Sequence, residues 1–340
     1  MRQIVLVVGC LALGGCISDI SDGRHMKPLP AALVADMAAK GMAQGDPILI
    51  RIYKKESELE VWKRDGTGRF ALLKVYPMCR WSGKLGPKKR EGDRQAPEGF
   101  YNVTADLMNP QSQFYLSFNL GYPNPLERSL GYTGSALMVH GACSSSGCFA
   151  MTDSGVTEIY GLAREAFIGG QRNFQVQALP FRMTPNNMAR HRSDPNFPFW
   201  QNLKEGSDHF EATRLPPRVS ACGTRYVFNA RAGGEPLVPG APCPAYELDP
   251  ELEMQVKAYQ GAQSAHISEL IAAGTPVATY AYVDGGMHKS FRSMLEEMGP
   301  KSMQPLVAGK VEISQPGAAL LDPYDHQNQE PDVTGAIAKP

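Results

Sequence analysis

The chain has 340 residues, of which 43% are hydrophobic and 20% are charged, and its 34 Lys and Arg residues balance its 34 Asp and Glu residues. Because this length exceeds one ordinary domain, we expect about two units, or one catalytic unit with appendages. The balanced charge lacks the basic excess that is typical of nucleic-acid-binding proteins, so no nucleic-acid partner is predicted.

The amino terminus has the pattern of an export signal. Arg2 precedes an apolar run that ends at Cys16, and such a run is too short to span a bilayer but has the proportions of a secretory signal. The letters LGGC resemble a bacterial lipobox, which predicts a signal peptide over 1–15 and lipidation of Cys16; the alternative is an ordinary signal in which the cysteine is incidental. Ile17 favours the outer membrane under the sorting rule of enteric bacteria. We therefore expect a periplasmic lipoprotein that an acyl anchor holds at the outer membrane.

Export changes how the cysteines are interpreted, because an oxidising periplasm permits disulfides. Removal of Cys10 with the signal and lipidation of Cys16 leave five of the seven cysteines, and an odd number requires a free or externally paired thiol. The five are Cys79, Cys143, Cys148, Cys222 and Cys243. The last two lie in a proline- and glycine-rich stretch, where they either close a loop or stay unpaired.

The amino-terminal half of the chain after the signal is predicted to be built on a sheet. Residues 16–46 are weakly patterned and are interpreted as a membrane-proximal spacer with one short helix near 31–42. The stretches PILIRIY, LEVWKR and FALLKVYPM then indicate strands, and a DGTG turn between the last two indicates a hairpin. QFYLSFNL alternates as a half-buried strand does.

The segment MVHGACSSSGCFAMTD, residues 138–153, combines one histidine and two cysteines with glycine and serine. The apolar run 136–139 is predicted to be a buried strand. Thr152 and Asp153 suit a helix N-cap, and the apolar residues after them recur on one helical face. NFQVQALPFRM then alternates as a strand does. The predicted order is strand, tight turn, helix and strand, with Cys148 on the turn directly before the helix.

The carboxy-terminal part is predicted to be helix and loop packed on the sheet. Asp249 suits a helix N-cap and Pro250 the first helical position, so a helix is predicted over 249–274, with a shorter one over 288–298. The last thirty or so residues mix Gly, Pro, Gln, Asn and Asp with few large apolar residues, which predicts disorder.

Cys148 is the candidate nucleophile on chemical grounds. A cysteine attacks as its thiolate and therefore needs an imidazole or a helix N-terminus beside it. Both are predicted here: the following helix, and His140, eight positions earlier at the end of a strand. The backbone amides of Gly147 and Cys148 are predicted to stabilise the oxyanion of a tetrahedral intermediate. These residues fit acyl transfer, although a buried cysteine beside a chance histidine has the same pattern.

The HG of residues 140–141, followed by SxGC at 145–148 and an apolar residue, resembles the signature of the YkuD-type L,D-transpeptidases. GKLGPKKREGDRQAPEGFYNV, YLSFNLGYPN, GCFAMTD and LPFRMT are similar to the YafK-like branch of that family. The resemblance implies a mainly β fold with α additions, in which a β-sandwich-like catalytic domain occupies 47–184. An accessory helical and loop region at 185–310 and a disordered tail at 311–340 complete the predicted organisation.

The resemblance assigns roles to residues of the segment. Cys148 is then the nucleophile and His140 the general base. The carbonyl of Gly141 orients the imidazole, and the amide of Gly147, with that of the cysteine itself, binds the oxyanion.

Neighbouring residues have alternative interpretations. Cys143 is a rival nucleophile, with packing or a disulfide to Cys79 as its other interpretations. Serines 144–146 are expected to satisfy turn amides, and Ser146 is the one placed to touch substrate. Arg94 either binds a carboxylate of a meso-diaminopimelate stem, since arginine binds carboxylates bidentately, or pairs with a neighbouring acid to hold its loop.

The segment departs from the common family form, because only ACS lies between Gly141 and Ser145 and because Ser146 stands where most members have His or Arg. The YafK-like branch shares this short form and includes an amidase that detaches a lipoprotein from peptidoglycan. The resemblance therefore implies a Cys148 acyl-enzyme on the peptide stems of peptidoglycan. It leaves open whether an amine acceptor gives cross-linking or protein attachment, or whether water gives hydrolysis.

The implied partners are peptidoglycan stems and, besides them, a wall-linked lipoprotein or an outer-membrane protein. Two hypotheses from other classes are a non-catalytic wall-binding lipoprotein and a protein whose carboxy-terminal helices bind a partner. No cofactor is implied. The remaining histidines lack metal-ligand spacing, so no metal is predicted.

Overall fold

The computed structural model describes residues 23–279, 281–308, 311–314 and 317–323. The predicted signal peptide 1–15 and the predicted lipidation site Cys16 lie outside these residues. Within the described ranges, no helix is both long enough and apolar enough to cross a membrane.

The regular elements are as follows in chain order. The strands are β1 Ile48–Tyr53, β2 Glu58–Arg64, β3 Phe70–Pro77, β4 Arg80–Trp81, β5 Gly99–Thr104, β6 Met108–Asn109, β7 Ser117–Asn119, β8 Met138–His140, β9 Phe149–Ala150, β10 Asn173–Leu179, β11 Val219–Cys222, β12 Arg225–Phe228, β13 Arg231–Ala232 and β14 Tyr246–Glu247. The α-helices are α1 Ala31–Ala39, α2 Pro125–Ser129, α3 Asp153–Ile168, α4 Pro185–Arg190, α5 Phe197–Thr213, α6 Pro250–Ala272, α7 Lys289–Met298 and α8 Gly317–Leu320. Short 3₁₀ turns lie at Arg24–Met26, Ala105–Leu107 and Pro300–Leu306.

Two five-stranded sheets form the centre of the fold. Sheet A has the order β3-β2-β1-β10-β5, and only β1 and β10 run parallel in it. Sheet B has the order β4-β9-β8-β7-β6, and only β8 and β9 run parallel in it. Sheets with helical additions confirm the predicted fold class.

Alternate residues of β1 face two different cores, because successive side chains of a strand point to opposite faces. Ile50 and Ile52 belong to the main cluster, which also contains residues of sheet B and of α3. Leu49 packs on the other face with Phe210 of α5, and Tyr53 packs in a cluster with Trp200 of the same helix. Sheet A is therefore covered on both faces.

The membrane-proximal spacer is a prediction that the structure corrects. Within α1, Leu33 and Met37 are buried in the main core, together with Leu29 before the helix and Met42 after it. Residues four apart lie on the same face of a helix, so this face is packed on the domain. These four residues thus form part of the core of the two-sheet domain.

Most predicted elements are confirmed by the structure. The first three strand patterns correspond to β1, β2 and β3. The long carboxy-terminal helix is α6, capped by the Asp249 side chain, and the shorter one is α7, capped by His288. The strand predicted from QFYLSFNL shrinks to β7, because Tyr115 has a φ of 73° and breaks the extended conformation. The predicted loop closure between Cys222 and Cys243 is present as a disulfide.

The prediction that the tail 311–340 is disordered is wrong for the part of it that the structure describes, 311–314 and 317–323. Ile313, which precedes α8, and Ala319 of α8 are buried in a cluster with α7 residues such as Phe291 and with the Cys79–Cys143 disulfide. A few apolar side chains suffice here, because α7 and the disulfide offer a surface that the composition of the tail does not reveal.

Candidate active site

The candidate site is built on the parallel pair of sheet B. His140 ends β8 and Cys148 precedes β9 directly, so the loop 141–148 crosses from one strand to its neighbour. Ala142 and Cys143 have φ values of 65° and 48°, which non-glycine residues seldom adopt. The loop, which we call the nucleophile loop, is therefore held in a conformation that the surrounding structure must enforce.

Backbone and carboxylate contacts enforce that conformation. The amide of Gly141 donates to the carbonyls of Phe114 and Leu116 at 3.0 and 3.1 Å. The amide of Ala142 donates to Oδ1 of Asp153 at 2.8 Å, and Oδ2 of this carboxylate accepts the amide of Ala308. Asp153, predicted only as a helix cap, thus links the nucleophile loop to the carboxy-terminal segment.

His140 has the geometry of a positioned base. Its Nδ1 lies 2.6 Å from the carbonyl of Gly141, the contact that the resemblance implies. Because a carbonyl can only accept, Nδ1 carries the proton and Nε2 keeps its lone pair. The ring is 2% exposed and lies 4.6 Å from that of Phe114. Burial lowers the pKa of His140 to about 4, so the imidazole is neutral at neutral pH.

Cys148 is the free thiol among the cysteines of the described residues. Its Sγ donates to the carbonyl of Ala136 at 3.7 Å. Burial raises the pKa of the Cys148 thiol above its usual value, so the resting sulfur is protonated.

The predicted contribution of the helix dipole is wrong. Between Cys148 and α3 lies β9, and the helix begins at Asp153 with Thr152 as its cap. The effect of a helix dipole is largely confined to its first turn. Cys148 lies outside the first turn of α3, so the dipole is not expected to stabilise its thiolate. The two-residue strand β9 was too short to be predicted from the pattern.

Cys143 is excluded as the rival nucleophile, because it forms a disulfide with Cys79. The alternative interpretation of a disulfide is therefore confirmed. Both cysteines are fully buried, and the bond ties the nucleophile loop to the segment between β3 and β4.

The predicted oxyanion amides are also engaged elsewhere. The amide of Gly147 donates to Oγ of Ser82 at 2.5 Å, and that of Cys148 donates to Oγ of Ser145 at 3.2 Å. The prediction that both amides face substrate is thus wrong for this state, because two serine hydroxyls already satisfy them. Nothing in the sequence pattern indicated a role for Ser82, because Ser82 is distant from the loop in sequence and meets it only in the folded structure.

His140 and Cys148 line one cavity of about 490 Å³. Its lining residues are Asn109, Gln111, Ser112, Gln113, Phe114, Ala136, Met138, His140, Ser144, Ser145, Ser146 and Cys148. None of these side chains is an acid, a lysine or an arginine. Ser146 is placed as predicted, whereas the amide-bearing side chains of 109–113 were not anticipated.

Arg94 lies beside the cavity and pairs within the protein. Its guanidinium contacts Asp284 at 3.2 Å and the hydroxyl of Ser146 at 3.4 Å, while its side chain is 51% exposed. Asp284 also binds Arg80. The contacts favour the interpretation in which Arg94 holds its loop against a neighbouring acid.

Among the described residues, no group of three or more His, Cys, Asp and Glu side chains is arranged to hold a metal ion.

The depressed pKa of His140 predicts a pH dependence of stability. In the unfolded chain the His140 imidazole binds a proton near pH 6.5, and in the folded protein it does so only near pH 4. The contribution of His140 to stability is therefore complete above pH 6.5 and falls as the pH drops toward 4. At pH 4 the loss from this group is about 3 kcal/mol. We expect the His140→Gln protein to lose correspondingly less free energy of unfolding between pH 7 and pH 4, as measured by urea denaturation. If the free energy of unfolding falls equally with pH in the two proteins, the inference that His140 is buried in its neutral form is contradicted.

Two sheets share one core, and a histidine that ends β8 and a thiol that directly precedes the parallel strand β9 line one cavity. This arrangement fits a catalytic domain of the L,D-transpeptidase type. The family described as YkuD, L,D-transpeptidase catalytic domain, matches residues 47–177. The chain belongs to this family.

Among curated relatives, the chain is 38% identical over 244 residues to "Putative L,D-transpeptidase YafK" of Escherichia coli strain K12, and equally to that of strain O157:H7. Each match covers 70% of this chain and 95% of the relative.

Solved structures show more distant similarity. The helical cell shape determining protein Pgp2 from Campylobacter jejuni is 19% identical with a TM-score of 0.32, and a point mutant of the same protein is 21% identical with a TM-score of 0.33. The matches cover 46% and 47% of this chain and 57% of each solved chain. Bd1075 of Bdellovibrio bacteriovorus is 18% identical with a TM-score of 0.28, over 40% of this chain and 48% of its own. The matches thus span about half the length of these solved structures.

Proposed function

We propose that the protein is an exported cysteine enzyme that acts on the peptide stems of peptidoglycan through a thioester on Cys148. One observation carries the proposal: the free thiol of Cys148 and the oriented imidazole of His140 line the same cavity. Membership of the L,D-transpeptidase family supports the substrate class. A wall-binding protein without catalysis would not need a thiol and an oriented base in one cavity.

The chemistry begins from a neutral pair. The thiol proton passes to Nε2 of His140 as the sulfur attacks an amide carbonyl of the stem, which forms a carbon–sulfur bond. The imidazolium keeps its Nδ1 hydrogen bond to Gly141. Collapse of the tetrahedral intermediate breaks the carbon–nitrogen bond, and the proton on Nε2 leaves with the amine.

A second nucleophile then resolves the thioester. His140 takes a proton from an incoming amine or from water as the new bond to the carbonyl forms. The carbon–sulfur bond of the thioester then breaks, and Cys148 takes that proton and is a thiol again. An amine of a second stem, on meso-diaminopimelate, gives a cross-link, and an amine of a protein gives an attached protein. Water gives a trimmed stem or a released lipoprotein. The amide of Gly147 is bound to Ser82 in this state, so the oxyanion needs another donor or a rearranged loop.

Export is supported by cysteine usage. Two disulfides, Cys79–Cys143 and Cys222–Cys243, are present in the described residues, and such bonds persist in oxidising compartments such as the periplasm. Lipidation at Cys16 and an outer-membrane anchor remain part of the proposal.

The test is muropeptide mass spectrometry after incubation of the mature protein with purified sacculi, with and without wall-linked lipoprotein. The Cys148→Ala protein serves as the matched control. New links between diaminopimelate residues that require Cys148 would identify a transpeptidase. Release of protein or stem fragments that requires Cys148, without new links, would identify a hydrolase. Identical products from both proteins would refute catalysis.

A further inference from the structure

Ser82, which follows β4, lies behind the nucleophile loop. We propose that Ser82 is a positioning residue for the Cys148 nucleophile, because its hydroxyl fixes the backbone on the amino-terminal side of that cysteine. The catalytic consequence rests on the proposed function, but the positioning itself does not.

The hydrogen-bond directions around Ser82 are determined by proton counting. Ser145 Oγ donates its hydrogen to the carbonyl of Cys148 at 2.7 Å and accepts the amide of the same residue at 3.2 Å. Since a hydroxyl has one hydrogen, the 2.9 Å contact between the two serines must use that of Ser82. The oxygen of Ser82 then accepts the amide of Gly147 at 2.5 Å. One hydroxyl therefore supports the loop directly and through Ser145.

Water cannot readily take over this role, because Ser82 is fully buried and Ser145 is 6% exposed. Loss of the Ser82 hydroxyl leaves a buried amide without its acceptor, which is costly. Gly147 has a φ of 118°, a conformation that suits glycine. The peptide before Cys148 can therefore rotate to find another partner, and such a rotation moves the sulfur relative to His140.

Ser82 is itself fixed by a distant part of the chain. Its carbonyl accepts the amide of Ala96 at 2.9 Å. Next to it, Trp81 and Gly286 exchange backbone hydrogen bonds of 3.0 and 3.2 Å. At Gly285, with a φ of 69°, a Cβ atom would lie 1.9 Å from the carbonyl oxygen of Trp81. Residues 285–286, which lie beyond the matched residues 47–177, thus hold residues 81–82 in place. Ser82 in turn holds the nucleophile loop.

The experiment compares Ser82→Ala and Ser82→Thr with a matched control, Ser207→Ala. Ser207 is also a buried serine whose hydroxyl accepts one N–H, from Arg51 at 2.7 Å, but it lies on α5. Amide hydrogen exchange of 144–149, thermal stability, and kcat and KM of the Cys148-dependent reaction are measured for each protein.

Ser82→Ala is expected to speed exchange in 144–149 and to lower kcat by about 100-fold with little change in KM, since small misplacement of reacting groups has effects of this size. Ser82→Thr keeps a hydroxyl and should restore most of the rate. Ser207→Ala should lower thermal stability, because it removes a buried hydrogen bond, but it should change neither exchange in 144–149 nor kcat.

The outcomes separate the two proposals. Unchanged exchange in Ser82→Ala would overturn the positioning role, as would faster exchange with an unchanged kcat. An equal fall of kcat in the Ser207→Ala protein would overturn it too, since general destabilisation would then explain the loss. If the wild-type protein shows no Cys148-dependent turnover, the proposed function fails, and the exchange data still decide whether Ser82 holds the loop.

Discussion

The His140→Gln protein is expected to turn over peptidoglycan stems about 10²- to 10⁴-fold more slowly than the wild type, which is the usual contribution of a general base. Glutamine can still donate a hydrogen bond to the carbonyl of Gly141, but its amide cannot take the thiol proton. The effect should be large because burial raises the pKa of the Cys148 thiol, so little thiolate forms without the base.

Because the two residues act as a unit, their losses should not add. Removing the thiol in Cys148→Ala leaves His140 nothing to deprotonate, so the double variant should be no slower than Cys148→Ala alone. The measurement is the rate of product formation from sacculi, followed by chromatography of muropeptides. His209→Gln is the matched control, since His209 is a partly buried histidine that contacts Asn229 and is not among the residues that line the cavity of His140 and Cys148. Wild-type turnover by His140→Gln would remove His140 from the mechanism.

The pair to which we assign the catalysis could be proposed from the sequence because its members are close in the chain. His140 and Cys148 are separated by one short loop, so the motif contains both. Ser82 contacts Gly147 across 65 positions, and Asp284 reaches Arg94 across 190. Such long-range contacts depend on how sheet B and the carboxy-terminal segment assemble, and no periodicity in a single sequence encodes them.

The fold was predicted where a pattern was long and regular. The alternation in β1 to β3 spans whole strands, and the cap at Asp249 marks the start of α6. The errors concern short elements. The strand β9 has two residues, and α1 buries only Leu33 and Met37, so neither produces enough signal to separate a packed element from a turn or a spacer.

The Lys54–Glu98 ion pair is the second place where a single substitution should have a large effect. Both side chains are fully buried. Lys54 Nζ donates to Glu98 at 2.8 Å and to the carbonyls of Gly86 and Ala96 at 3.1 and 3.0 Å. Glu98 also accepts the amide of Gly86 and the indole N–H of Trp200. The pair therefore closes the loop that carries Arg94 beside the site.

Lys54→Met or Glu98→Leu is expected to lower the free energy of unfolding by about 3–5 kcal/mol, because each leaves a buried charge without its partner. Burial lowers the pKa of Lys54 against the effect of Glu98, so losing the carboxylate should favour the neutral amine. The double variant should cost less than the sum of the single changes, since it leaves no unpaired charge. Urea denaturation at pH 7 measures all three. Additive losses, or single losses near the value of about 0–1 kcal/mol for surface pairs, would show that the pair is not coupled.

Lys54 also lies 5.2 Å from the centre of the Trp81 ring, and Trp81 is the neighbour of Ser82. We therefore expect these variants to speed amide exchange in the nucleophile loop as well.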